Sequence, residues 1–351
     1  MNYKNELVCI SKYAGMREDL VQAGGGNSSV KISKEEMLIK ASGYSLSELT
    51  ETEGYSVVNY SVITEFFKNT SPDRITKKTE EILLKQAYRE GARPSIETFL
   101  HSITGTVTLH THAVLAAVLA SRKDGMMQLQ KLFPEALLIP YATPGIALAA
   151  AYFREYQKYQ KSGKELEFVF LQNHGLLVSG NTALEVIEKT ESVLQKIAEV
   201  LSIDYRNYSD STMLYQKLAA FGCQQDFIYQ VQNRNVEKAY LLLGKKLWEL
   251  TVSPDTVVYC GRKILSVKEG EEQESIQQFF QQYGKPSVLQ YRDQFYILAS
   301  SMKKAKEIES LLAFSAEIAV ANQGIEETYL TEQEQEFLLN WDAELYRKNK
   351  Q

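Results

Sequence analysis

Cysteine is scarce in this chain: Cys9, Cys223 and Cys260 are odd in number, widely spaced and without a CxxC pair. Such a set excludes a disulfide framework and a thiolate zinc site, and it suits a reducing cytoplasm. Positive charge is also in deficit, with 39 Lys and Arg against 44 Asp and Glu and a formal net charge of −5. With no basic run either, no nucleic-acid partner is expected, and an anionic ligand must be held by local groups. Long apolar runs are missing. The longest, Ala113–Ala120 and Ile146–Phe153, fall far short of the roughly 20 residues of a membrane-spanning helix. The opening MNYKNELVCISKYAG lacks the apolar core of a signal peptide, so neither export nor membrane attachment is expected and the location expected is cytoplasmic.

What is there is an ordinary globular composition, 44% hydrophobic and 24% charged over 351 residues. That length exceeds the roughly 250–300 residues at which single cores stop growing, which predicts two folding units. Residues 3–22 carry Leu7, Ile10, Tyr13 and Leu20 at helical spacing and run into the cluster Gly24-Gly25-Gly26. Ser29–Ser33 and Met37–Lys40 read as short paired strands, closed by a turn at Ser42-Gly43. Ile82–Arg93 reads as a helix broken before Pro94, with Pro94 in the first turn of a new helix over Ser95–Thr104. Thr106–His112, Leu137–Tyr141, Phe168–Leu171 and Leu176–Val178 are strand-like, and Ala113–Ser121 is helical. Asn181 is the expected N-cap of a helix whose apolar stripe runs from Val186 to Leu201.

The first unit is therefore expected to span residues 1–203. The polar stretch 204–212 follows as a linker, and residues 213–351 form a smaller α/β or α+β unit. In that second unit the pattern predicts helices over Met213–Phe221, Val236–Leu250, Lys303–Ala321 and Thr331–Lys348. It predicts strands over Thr256–Cys260, Ser287–Tyr291 and Gln294–Leu298.

All four histidines fall between His101 and His174. On a strand, alternate side chains share a face, so His110 and His112 can turn toward one metal ion, with His174 as a third candidate. Three imidazoles with an open fourth position describe a catalytic site; packed-core or surface histidines would show the same spacing. Glu97, upstream of the HxH strand, is a candidate ligand, acid or base. His101 shares its helical face four residues on and reads as a support to that site or a structural residue.

A second constellation is Gly24-Gly25-Gly26-Asn27-Ser28-Ser29-Val30-Lys31, which is neither GxGxxG nor a Walker loop. Glycines allow backbone N–H groups to converge on an anion, Asn27, Ser28 and Ser29 add neutral donors, and Lys31 adds a point charge. Ser42, Gly43 and Ser95 could complete a phosphate cradle, although glycine and serine clusters are also plain turns.

Taken in order, the blocks Gly26-Asn27-x-Ser29, Ile39-Lys40-Ala41-Ser42-Gly43, Pro94-Ser95-Ile96-Glu97, His110-Thr111-His112, Tyr141-Ala142-Thr143-Pro144-Gly145 and Asn173-His174-Gly175-Leu176 resemble the class II aldolase/adducin superfamily. The resemblance covers roughly residues 5–203. It implies a three-layer α/β/α sandwich around a mostly antiparallel sheet. His110, His112 and His174 would be ligands to Zn2+ or another divalent transition metal, and Glu97 the acid/base. It places a substrate phosphate at Gly26, Asn27, Ser29, Ser42, Gly43 and Ser95, and implies homotetramers.

Two departures stand out. Ile96 occupies the place of a second serine, and no tyrosine is placed near the metal, Tyr141 being the only suggestion. The Ser-Ile-Glu form, the GGGN loop and the tail Asn340-Trp341-Asp342-Ala343-Glu344-Leu345-Tyr346-Arg347 look closest to the aldolase part of bifunctional rhamnulose-1-phosphate aldolase/alcohol dehydrogenase proteins. No Rossmann pattern follows, so nicotinamide chemistry is not expected. The activity implied is metal-dependent cleavage of a ketose 1-phosphate, of rhamnulose or fuculose type, to dihydroxyacetone phosphate and an aldehyde. A sugar-phosphate 4-epimerase or dehydratase on the same scaffold is the neighbouring alternative, and a non-enzymatic adducin-like module the remote one. In the second unit Tyr259, Trp341 and Tyr346 either cap the substrate pocket or serve packing.

Overall fold

The computed structural model describes residues 2–70, 76–161, 163, 166–223, 226–244 and 251–341. The chain divides into two compact units, one ending at Tyr205 and one beginning at Arg206. The polar stretch expected as a linker is not open chain, because the helix Arg206–Ala219 starts within it.

The first unit is built on eight strands: β1 (Asn27–Lys31), β2 (Glu36–Lys40), β3 (Tyr55–Asn59), β4 (Tyr88–Gly91), β5 (Val107–Thr111), β6 (Leu137–Ile139), β7 (Phe168–Leu171) and β8 (Gly175–Gly180). They lie in the order β4-β3-β2-β1-β5-β8-β7-β6, antiparallel throughout except for the β6–β7 pair. In the register, His110 on β5 stands opposite Asn27 on β1 and Leu177 on β8. Directly opposed residues share a face of the sheet, so these three side chains emerge together.

Helices cover both faces. Tyr3–Gly15, Val114–Ala120 and Ala183–Leu201 pack on one. On the other, Ser61–Asn69, Lys77–Ala87, Thr98–His101 and Ile146–Gln160 enclose Met37, Ile39, Val58 and Leu177. Phe67 stacks on Phe153 at 3.8 Å between centroids and meets Phe99 edge-on at 6.3 Å. Each such fully buried apolar side chain contributes about 1.5–3 kcal/mol, so this layer is a principal source of cohesion behind the site. The expected three-layer α/β/α sandwich is the observed one.

Several local expectations need correction. The first helix stops at Gly15, well before Leu20: the Met16 nitrogen caps it on the Lys12 carbonyl, and the chain then turns, with the Leu20 and Val21 nitrogens donating to the Arg17 carbonyl. Glycine at 15 leaves room for the Ser47 nitrogen, which a Cβ would meet at 2.3 Å. Residues 88–91, read as the end of a helix, form β4 against β3. Over 95–104 only Thr98–His101 is α-helical, and Pro94 sits before it in an isolated bridge with Ala41. The cap of Ala183–Leu201 is Thr182, whose hydroxyl accepts from the Glu185 nitrogen, while Asn181 donates its own N–H to the Glu185 carboxylate.

The second unit carries β9 (Phe227–Gln230), β10 (Leu265–Val267), β11 (Val288–Tyr291) and β12 (Gln294–Ala299) in the order β10-β11-β12-β9. Leu289, Tyr296 and Leu298 pack against Leu214, Leu218 and Ile276 from the helices Arg206–Ala219 and Glu272–Tyr283. The helix Met302–Ala321 packs on β12 and on Arg234–Leu243. Pro254–Cys260 is a helix, not the strand its β-branched residues suggest: the Ser253 hydroxyl caps the Thr256 nitrogen and Pro254 fits the first turn. The other two helices are described over Arg234–Leu243 and Glu332–Asn340. Residues 245–250 and 342–351, including Tyr346, lie outside the described residues. No helix among the described residues is long and apolar enough to cross a membrane.

Candidate metal centre

Strand β5 supplies His110 from its interior and His112 from just past its end; the turn into β8 supplies His174. Asn173 adopts a left-handed φ of 53° in that turn, and Gly175 follows it. A Cβ on Gly175 would stand 2.3 Å from the Thr111 carbonyl oxygen and 2.8 Å from His110 Nε2, so glycine is what lets the two strands close around the rings. The centroids of His110, His112 and His174 form a near-equilateral triangle with sides of 5.3, 5.0 and 5.3 Å. Glu97, at the start of the short helix Thr98–His101, joins them. Its Oε2 is 2.9 Å from His110 Nδ1 and its Oε1 3.9 Å from His174 Nε2.

One ligand atom from each of the four side chains lies within 4.8 Å of the others, a group that could hold a metal ion. The fit has a physical sign. His110 Nε2, His112 Nε2 and His174 Nδ1 are buried and have no hydrogen-bond partner among the described residues, an expensive state for three imidazoles in one place. Nitrogen and carboxylate donors suit a divalent transition ion.

The electrostatics keep Glu97, His112 and His174 in ligand form. Burial pushes the Glu97 carboxyl up, but the adjacent His110, with His101 and His174, outweighs it and holds the group down at about 2. Burial and the neighbouring His110 lower His174 to about 4 against the opposing pull of Glu97, and His112 shifts down for the same reasons. Neutral His112 and His174 beside an ionised Glu97 are the protonation states that coordination needs.

The remaining sequence candidates separate. Asn27 is opposite His110, and Gly26, at φ 72°, brings the backbone so close that a Cβ would meet the His110 carbonyl oxygen at 2.9 Å. The Ala41–Pro94 bridge draws Ser42 and Gly43 toward Ser95: the Ser42 nitrogen donates to the Arg93 carbonyl, and the Ser95 hydroxyl accepts from the Glu97 nitrogen at 3.2 Å. Gly26 and Asn27 thus join His110, and Ser42 and Ser95 join the segment that carries Glu97. Ser29 is fully buried, with Oγ 2.7 Å from His101 Nδ1, so it supports His101 and is withdrawn as a phosphate donor. Ser28 is equally buried against Ser11. The Lys31 amino group lies on the Thr104 carbonyl and over the Tyr60 ring, where burial lowers it to about 8, so it adds no charge to the glycine loop. Tyr141 is exposed, and no described hydrogen bond or ring contact joins its side chain to the histidines. Trp341 stacks on Phe337 within its own unit.

Sequence reasoning passed over Lys40 as a site residue. It is buried on β2, its amino group lowered by burial and held charged in part by Glu97 and Glu48. Its signal was a lone lysine in the apolar run Leu38-Ile39-Lys40-Ala41.

Comparison with known proteins places this arrangement. A curated protein of Bacillus subtilis (strain 168) named "Uncharacterized oxidoreductase YuxG" is 24% identical over 208 residues, a match covering 56% of this chain and 29% of that protein. This chain thus spans less than a third of that relative. Among solved structures, the N-terminal class II aldolase domain of a conserved protein from Thermoplasma acidophilum is 24% identical, covers 56% of this chain and 92% of its own, and superposes with a TM-score of 0.48. The l-fuculose-1-phosphate aldolase from Thermus thermophilus is 19% identical, with coverage of 57% and 94% and a TM-score of 0.37. Residues 5–201, more than half of the chain, match the family described as Class II Aldolase and Adducin N-terminal domain, and the chain belongs to that family.

Proposed function

We propose that the chain is a zinc-dependent class II aldolase that cleaves a ketose 1-phosphate, of the rhamnulose or fuculose phosphate type, to dihydroxyacetone phosphate and an aldehyde. The observation that carries this reading is the convergence of His110, His112, His174 and Glu97 with three buried imidazole nitrogens left unpartnered. Those four residues would hold the ion, which when bound supplies a Lewis acid for the negative charge that develops on substrate oxygens.

The chain's own residues do the rest. Glu97 is ionised at neutral pH, so in the condensation direction its carboxylate takes the proton from the dihydroxyacetone phosphate carbon that attacks the aldehyde. In cleavage the C4 hydroxyl gives up its proton as C4 becomes the aldehyde carbonyl and the C3–C4 bond breaks, and Glu97, taking up a proton in its place, delivers it to C3, so that none is gained or lost overall. Asn27, Ser42, Gly43 and Ser95 orient the phosphate, a role supported by the register of Asn27 with His110 and by the tie of Ser42 and Ser95 to the segment that carries Glu97. Lys40 adds a buried positive charge to a chain that is acidic overall. Homotetrameric assembly is proposed on family resemblance, and sedimentation of the full chain checks it.

The test is a coupled assay for dihydroxyacetone phosphate with rhamnulose and fuculose 1-phosphates, before and after EDTA and again after added Zn2+. Aldehyde release that stops with EDTA and returns with Zn2+ is expected. Cleavage that persists after stoichiometric metal removal would overturn the metal mechanism. Epimer or dehydration product in place of aldehyde would move the chain to a neighbouring reaction on the same scaffold.

A further inference from the structure

Beyond the four candidate ligands, the first unit buries a charge cluster that the reaction does not use. Arg17 is 4% exposed. Its Nε and Nη2 donate to the two carboxylate oxygens of Asp19 at 2.9 and 2.6 Å, and Nη1 pairs with Glu191 on the helix Ala183–Leu201. The Tyr13 hydroxyl donates to the same Glu191 at 2.6 Å, and the Tyr205 hydroxyl reaches its carboxylate at 3.4 Å. The Arg17 carbonyl accepts from the nitrogens of Leu20 and Val21, so the cluster's Arg17 and Asp19 both sit on the backbone turn 17–21.

That turn touches the candidate metal centre at two points. The Asp19 carbonyl accepts the Val114 N–H at 2.8 Å, fixing the chain two residues after His112. The same segment runs on through Gln22, whose carbonyl accepts the Gly25 N–H at 3.0 Å, and a Cβ on Gly25 would stand 2.6 Å from His112 Nδ1. One loop therefore holds the backbone leaving His112 and the backbone lying against its ring. Buried ion clusters are poor sources of net stability, and apolar residues of similar volume often serve as well. What a guanidinium adds is a rigid, bidentate fork that sets geometry.

We propose that Arg17, through Asp19 and the 17–25 loop, is a positioning residue for His112. The inference rests on the metal reading above. Its test uses the full chain and Co2+ as the probe, reading affinity and the visible ligand-field band. Arg17→Lys keeps the charge and loses the fork; Asp19→Asn keeps the carbonyl and loses the carboxylate. Both are expected to bind Co2+ about 10-fold more weakly, the scale seen when groups orienting a ligand are removed, with a shifted band. Lys189→Met breaks a different ion cluster on the same helix, with Glu167 and Glu185, and is expected to leave affinity and band at wild-type values. Should Arg17→Lys fail to fold, Asp19→Asn and Tyr205→Phe decide.

Wild-type affinity and spectrum in the Arg17 and Asp19 variants would overturn the positioning role while leaving the metal centre standing. An equal loss in Lys189→Met would also overturn it, by showing a general structural effect. Failure of the wild-type chain to take up Co2+ would overturn the metal reading, and this inference with it.

Discussion

His110 Nδ1 lies 2.9 Å from Glu97 Oε2, while the opposite nitrogen of the same buried ring has no hydrogen-bond partner among the described residues. The carboxylate grips one side of the imidazole and leaves the other side for an ion, the arrangement that orients metal-bound histidines. Glu97→Gln keeps the shape and removes the charge. Its kcat is expected to fall by about 10²–10⁴-fold, the usual scale for losing a positioned acid/base, with the fold intact. Steady-state kinetics beside a circular dichroism spectrum check this, and an unchanged kcat would remove Glu97 from the mechanism.

Ser29 and His101 make a second buried pair, with Oγ 2.7 Å from Nδ1. Ser29→Ala leaves both nitrogens of the His101 ring unpartnered and is expected to cost about 1–3 kcal/mol in urea unfolding. KM for the phosphorylated substrate should change little, since the hydroxyl is buried and engaged with His101.

The same ring sets a pH dependence. Burial lowers the His101 imidazole to about 3 from an ordinary 6.5, against the opposing charge of Glu97. The unfolded chain therefore takes up a proton between those values that the folded chain refuses, so this contribution to stability is complete above pH 6.5 and declines as pH falls toward 3. Urea midpoints measured across that range should fall with acid, and His101→Asn should flatten the slope.

Gly25 and Gly175 test how tightly the backbone is drawn around the rings. A Cβ at Gly175 meets the Thr111 backbone at 2.3 Å, and one at Gly25 meets the His112 side chain at 2.6 Å. Gly175→Ala is expected to destabilise the β5–β8 pairing outright. Gly25→Ala should mainly displace the His112 ring and weaken metal binding at nearly wild-type thermal stability. Calorimetry paired with metal titration separates the two, and equal effects on both quantities would refute the distinction.

Ser42 and Ser95, joined through the Ala41–Pro94 bridge, are the phosphate candidates that the fold leaves together. Their alanine variants are expected to raise KM for the 1-phosphate severalfold, about one neutral hydrogen bond each, and to leave turnover of an unphosphorylated ketose unchanged. A kcat loss shared by both substrates would place them elsewhere in the mechanism.

The sequence by itself determined the donors and much of the layering. The HxH spacing on a β-branched strand put two imidazoles on one face, and the apolar stripes set the long helices, because both are local periodicities written within a few residues. Tertiary structure decided what depends on partners far along the chain. Gly15 lies against the Ser47 backbone with no room for a Cβ, and Thr256–Cys260 is helical because Ser253 caps it against a β-branched composition. The loop GGGNSSVK looked like one anion cradle, yet β1 buries Ser28 against Ser11, turns Ser29 to His101 and sends Lys31 to Thr104. Pairing of β1, β5 and β8 is what brings Asn27, His110 and the turn carrying His174 to one place. No spacing rule reports that convergence, since strand register is settled by contacts between residues dozens of positions apart.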